Sequence, residues 1–167
     1  MTVFDAIFVA LSSWKEGGAL FFSRLGGTLT LLDVLFDNCA AVSHGGAVYV
    51  IGAGEFYVNS VNVINCCAQW EPALCLIGCP PALFNIGLIT SFQCPSSKRR
   101  GSLYTLCFTI GRKLSVVDSN VTQSMLKSAT AFDLQTSEEM KLEYNTVAHS
   151  SMDNVYFVAE TGDGIFT

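Results

Sequence analysis

The chain reads as short apolar runs of β-forming residues, each closed by Gly, Pro, Asn or Ser. Val, Ile, Leu, Phe, Tyr and Thr fill the runs, and these side chains suit a pleated, half-buried surface. No window of about 11 residues or more sustains an apolar stripe of period 3.6, so the pattern predicts strands. The stretch 123–136 comes nearest to a helix, but a longer repeat runs through it.

The repeat is visible in three landmarks. A polar marker recurs at Asn38, Asn65, Gln93, Asn120 and Asn145, in steps of 27, 28, 27 and 25 residues. The next position reads Cys39, Cys66, Cys94, Val121 and Thr146. A restart, Gly17-Gly18-Ala19-Leu20, returns as Gly45-Gly46-Ala47-Val48 and then in looser copies from Pro72, Gly101 and Ala129. A third β-rich run follows each restart, beginning near Gly27, Gly54, Pro81, Gly111 and Glu139.

Three short strands in each period of roughly 27 residues have a compact solution. The chain coils so that every strand pairs in parallel with its counterpart one coil later, and stacking buries one continuous core. The expected fold is therefore all-β: a right-handed parallel β-helix of about five full rungs, with partial rungs at both ends. It is read as a single domain over 1–167, a fragment of a longer repeat array. Nothing in the terminal runs reads as a polar cap, and open strand edges favour end-to-end self-association.

Two structural columns follow. Asn38, Asn65, Gln93, Asn120 and Asn145 are expected to stack as an amide ladder at an inward or corner position, where Asn tolerates left-handed backbone. Cys39, Cys66 and Cys94 are expected to stack as buried thiols; a column of three cannot pair completely into disulfides.

The order Phe36-Asp37-Asn38-Cys39 followed by Gly45-Gly46-Ala47-Val48 resembles the repeats of the chlamydial polymorphic outer membrane proteins and related protozoan surface proteins. Those repeats carry Phe-x-x-Asn and Gly-Gly-Ala-Ile; here Cys39 stands in the Asn place and Val48 in the Ile place. The resemblance covers 17–70 and is degenerate over 71–152. It implies a right-handed β-helix, a structural or adhesive surface role, no enzyme chemistry, and location at the cell surface or outside the cell.

Composition narrows the picture. Half the residues are apolar, yet no apolar run approaches the about 20 residues a membrane-spanning helix needs. A net charge of −5 disfavours nucleic acid as partner, and the one basic run, Lys98-Arg99-Arg100, has no aromatic platform beside it. Cys75 and Cys79 could give two metal ligands, but no second pair follows at suitable spacing. No metal and no cofactor are expected.

The other class of β-helix is the polysaccharide-active enzyme, which needs positioned carboxylates. On the repeat, Asp118 and Glu143 are expected to sit on adjacent rungs. His44 reads as a turn histidine. The sequon Asn120-Val121-Thr122 is expected to be unmodified, because Asn120 belongs to the ladder. Lys15-Glu16, Ser43-His44, Glu71, Lys98-Arg99-Arg100 and Lys127-Ser128 share one phase of the repeat. That edge and the flat outer face beside it are the expected seat of a protein or glycan ligand.

Overall fold

The structure is a computed structural model that describes residues 1–70, 72–94, 104–122, 130–148, 157–160 and 163–166. The expectations placed on Glu71, Lys98-Arg99-Arg100 and Lys127-Ser128 lie outside the described residues. Thirteen strands occur, and no helix among the described residues. They are β1 (Thr2–Val9), β2 (Ser12–Ser13), β3 (Leu20–Ser23), β4 (Thr28–Asp37), β5 (Ala40–Ala41), β6 (Val48–Ile64) and β7 (Leu74–Phe92). After these come β8 (Tyr104–Val117), β9 (Asn120–Thr122), β10 (Thr130–Glu143), β11 (Thr146–Ala148), β12 (Phe157–Glu160) and β13 (Asp163–Phe166).

All pairings are parallel, and each joins a strand to its counterpart in a neighbouring coil. The chain is a β-solenoid of about 4 turns. The sequence count of about five includes coils that fall partly outside the described residues.

Each coil has three faces. The first carries Leu20–Ser23 and its partners, such as Val48 to Ile51. The second carries Leu29 and Leu31, paired with Phe56 and Val58. The third carries Val34 and Phe36, paired with Val61 and Val63. Alternation points Leu20, Phe22, Val48 and Val50 inward on the first face, leaving Phe21 and Ile51 exposed, and buries the residues named on the other two. In the second-face interior the Phe56 and Phe84 rings stack face to face at 4.3 Å and nearly parallel. Fully burying each such ring stabilises the coil by roughly 1.5–3 kcal/mol.

The restart motif has two steric causes. Gly17 and Gly45 adopt φ of 61° and 59°, a backbone that costs most side chains strain. Gly46 lies so close to its neighbour that an added Cβ would sit 2.0 Å from the Pro72 carbonyl oxygen. Gly18 stands in the same relation to the Gly46 carbonyl. The second glycine of the pair therefore lets one coil close down on the next.

Two further corners use left-handed residues. One lies at Ala10, Asn38, Asn65 and Gln93; the other at Asp5, Asp33, Ser60, Leu88, Asp118 and Tyr144. At each, two successive residues face outward before the core resumes. Leu32 and Asp33 precede buried Val34, and Asp37 and Asn38 precede buried Cys39.

This geometry corrects the polar column. Asn38, Asn65 and Gln93 share one corner, because Asp37 pairs with Ile64 and Ile64 with Phe92. They are exposed rather than inward, and among the described residues neither Asn38 nor Asn65 makes a side-chain hydrogen bond. Asn120 pairs with Thr90, on the half-exposed outer side of the third face. Asn145 follows Tyr144 at the other corner. The column breaks because the third-to-fourth coil step is longer: Gly87 pairs with Val117, a step of 30. Matching by residue type slides past those extra residues.

Candidate functional site

The cysteines were the most conspicuous reactive groups in the sequence. Cys39, Cys66 and Cys94 all lie directly after the Asn-type corner and are fully buried. All seven cysteines are free thiols. Each thiol of the column donates to the carbonyl two residues back, at 3.6, 3.4 and 3.5 Å. Each also reaches a carbonyl of the preceding coil, those of Phe8, Phe36 and Val63. The column thus fills a corner and satisfies backbone acceptors. The neighbouring Cys94 sulfur and burial push the Cys66 thiol well above the usual range, so it stays protonated. Burial likewise pushes up Cys67. Held protonated, the Cys66 thiol is neither a nucleophile nor a metal ligand.

Ser119 and Asn145 occupy the equivalent place after the other corner. Ser119 Oγ donates to the Val117 carbonyl. Asn145 Nδ2 donates to the Val116 carbonyl at 2.9 Å, while its Oδ1 accepts from the Ser119 amide at 2.9 Å. An inter-coil amide bond exists, but it joins Asn145 to backbone of the coil before.

Asp118 and Glu143 lie on adjacent coils as expected, with the Asp118 amide donating to the Glu143 carbonyl at 3.0 Å. Glu143 pairs with Val117, and Asp118 sits at the corner beside Tyr144. Glu143 is held by Lys141 at 2.8 Å, and Glu139 by Lys113 at 2.7 Å. The Lys113 ammonium holds the Glu139 carboxyl below its ordinary value, and Glu143 raises Lys141. Among the described residues, no group of three or more His, Cys, Asp or Glu side chains is placed to hold a metal ion. Among the described residues, no helix is long and apolar enough to cross a membrane.

At the turn edge, the Ser43 amide donates to the Lys15 carbonyl, and the Gly17 amide to that of His44. Lys15-Glu16 and Ser43-His44 are therefore neighbours, as their shared phase predicts. His44 stacks on Tyr49 at 5.5 Å.

The outer surface of the second face holds a feature the sequence did not announce. An open depression of about 280 Å³ is lined by Leu32, Tyr57, Asn59, Asn85, Gly87 and Val117, with Val58 and Ile86 behind. Register builds it. Tyr57 pairs with Asn85 and Asn59 with Gly87, so the four form a tile two residues long and two coils wide. At about 3.3 Å per residue and 4.8 Å between strands, the tile measures roughly 7 by 5 Å. Gly87 supplies the hollow, because its column otherwise carries Leu32, Asn59 and Val117. Three exposed side chains surround it: a phenol and two carboxamides. Charged residues flank it without lining it: Asp33 follows Leu32, Glu55 stands two residues before Tyr57, Asp118 follows Val117, and Lys113, bound to Glu139, lies one coil beyond Asn85. The sequence signal would have been the pairing of 57 with 85 and 59 with 87, which exists only once the 28-residue step is known.

No protein-family model matches the chain, and neither does any curated protein or solved structure at a significant level.

Proposed function

We propose that the chain is a non-catalytic β-solenoid module of structural or adhesive type, displayed at a cell surface or secreted. The observation that carries the reading is the use of charge on the second face. Glu139 and Glu143 are each engaged by a lysine, while the neighbouring depression is lined by uncharged side chains. Such a lining suits recognition, because none of its side chains is a carboxylate of the kind glycoside hydrolysis needs. The resemblance of Phe36-Asp37-Asn38-Cys39 and Gly45-Gly46-Ala47-Val48 to polymorphic outer membrane protein repeats supports surface display and a right-handed coil.

The competing reading is a polysaccharide lyase or hydrolase. Incubation with a panel of polysaccharides, assayed for new reducing and unsaturated ends, separates the two. The module should release neither, and the labelled protein should bind whole cells saturably. Release of ends overturns the non-catalytic reading. Absence of saturable binding removes the adhesive role and leaves a structural one.

A further inference from the structure

We propose that the depression at Tyr57, Asn59, Asn85 and Gly87 binds one uncharged pyranose residue of a glycan. The inference rests on the recognition reading above and names its ligand class.

Four observations meet there. First, the volume of about 280 Å³ lies just below the range of drug-sized small-molecule sites, roughly 300 to 1,000 Å³. It suits a single ring better than an extended peptide. Second, Tyr57 is 43% exposed, presenting an aromatic body with a polar tip. The C–H-rich side of a pyranose packs on such a surface. Third, among the described residues the Tyr57 hydroxyl and the Asn59 and Asn85 carboxamides make no hydrogen bond within the chain. Each carboxamide offers both donors and an acceptor, which matches the dual character of sugar hydroxyls. A carboxylate, sulfate or ammonium group would find no opposite charge in the lining. Fourth, the hollow is held open by a residue that backbone geometry does not demand. Gly87 lies outside the left-handed region, unlike Gly45 or Gly52. An added Cβ there would meet only the Asn59 Oδ1 at 3.3 Å and the Val117 carbonyl at 3.9 Å. Other side chains would fit the fold; glycine keeps the space.

That last point gives a clean test. The intact chain is applied to a printed array of glycans ending in neutral hexoses and N-acetylhexosamines, with sialylated and sulfated glycans alongside. Binding to a subset of the neutral glycans is expected. Gly87→Val fills the hollow and should lower the signal at least tenfold without lowering the thermal midpoint. Asn85→Ala, at an exposed position, should lower it by a similar factor, and Tyr57→Phe should weaken binding less than Tyr57→Ala. Binding only to charged glycans, full retention in both Gly87→Val and Asn85→Ala, or no array binding at all overturns the site. A neutral glycan that binds and is then cleaved would keep the site and overturn the non-catalytic reading. Cell binding without array binding would do the reverse.

Discussion

At one corner of the coil the left-handed residue is Ala10, Asn38, Asn65 or Gln93. At the other it is Asp5, Asp33, Ser60, Leu88, Asp118 or Tyr144. Both bend the chain in the same way, yet only the first draws on Asn repeatedly. The difference lies in what flanks each bend. The second corner sits inside long strands paired on both sides, such as β6 and β7, whose register continues from Asn59–Gly87 to Val61–Ile89. Ladder bonds impose the conformation there, so even Leu88 accepts it; where Asp118 and Tyr144 fall between strands, the Asp118 amide bond to the Glu143 carbonyl and the Asn145 carboxamide hold the corner instead. After the first corner the pairing thins to two residues in β5 and the isolated Ala40–Cys67 bridge. The corner amides still bond to the next coil, as Asn38 to Ile64 and Asn65 to Phe92, but with shorter strand pairing beyond it that bend depends more on a residue that tolerates it by itself.

The largest test removes polar support from the second corner. Asn145→Ala leaves the Ser119 amide and the Val116 carbonyl without their partner, at roughly 2 kcal/mol in total. A clear fall in the urea midpoint is expected, and no change would mean that water replaces the amide. Next, Leu88→Asn should stabilise by about 1 kcal/mol, since left-handed backbone costs a branched apolar residue roughly that much. Leu88 is 53% exposed, so little packing is lost. A drop in midpoint would show that its side chain, not the ladder, holds the bend. Asn65→Ala at the other corner should destabilise by somewhat less than 1 kcal/mol, and Asn65→Gly should be neutral or better. Equal responses at Leu88 and Asn65 would erase the distinction between the corners.

The smallest expected effect lies away from both. Lys113 lowers the Glu139 carboxyl, so its contribution is complete above the ordinary carboxylate range and fades as pH falls through the lowered value. The pair is exposed and screened. Glu139→Gln should therefore remove only a slight acid-side slope in a pH series of thermal melts.

Much of the fold was legible because stacking repeats its chemistry. Gly45-Gly46 and Cys39, Cys66 and Cys94 fell in their true places, since steric closeness and corner filling each admit few residue types. The polar column failed beyond Gln93 for the opposite reason. A left-handed corner held by its ladder accepts Ser60 or Leu88, so residue identity carries no address there. The candidate binding tile was not legible at all. Its four residues are unremarkable along the chain, and only the coil-to-coil register sets Tyr57 against Asn85 and Asn59 against Gly87. Its decisive member is a glycine whose contribution is the side chain it lacks.

The thiol column has a consequence for descent. Cys39 and Cys66 hold interchangeable seats, each bonded to its own corner and to the coil before it. One whole coil could be duplicated or lost by unequal recombination with every remaining contact kept in kind. In such a lineage the length of the protein is free to drift, while its cross-section is inherited almost unchanged.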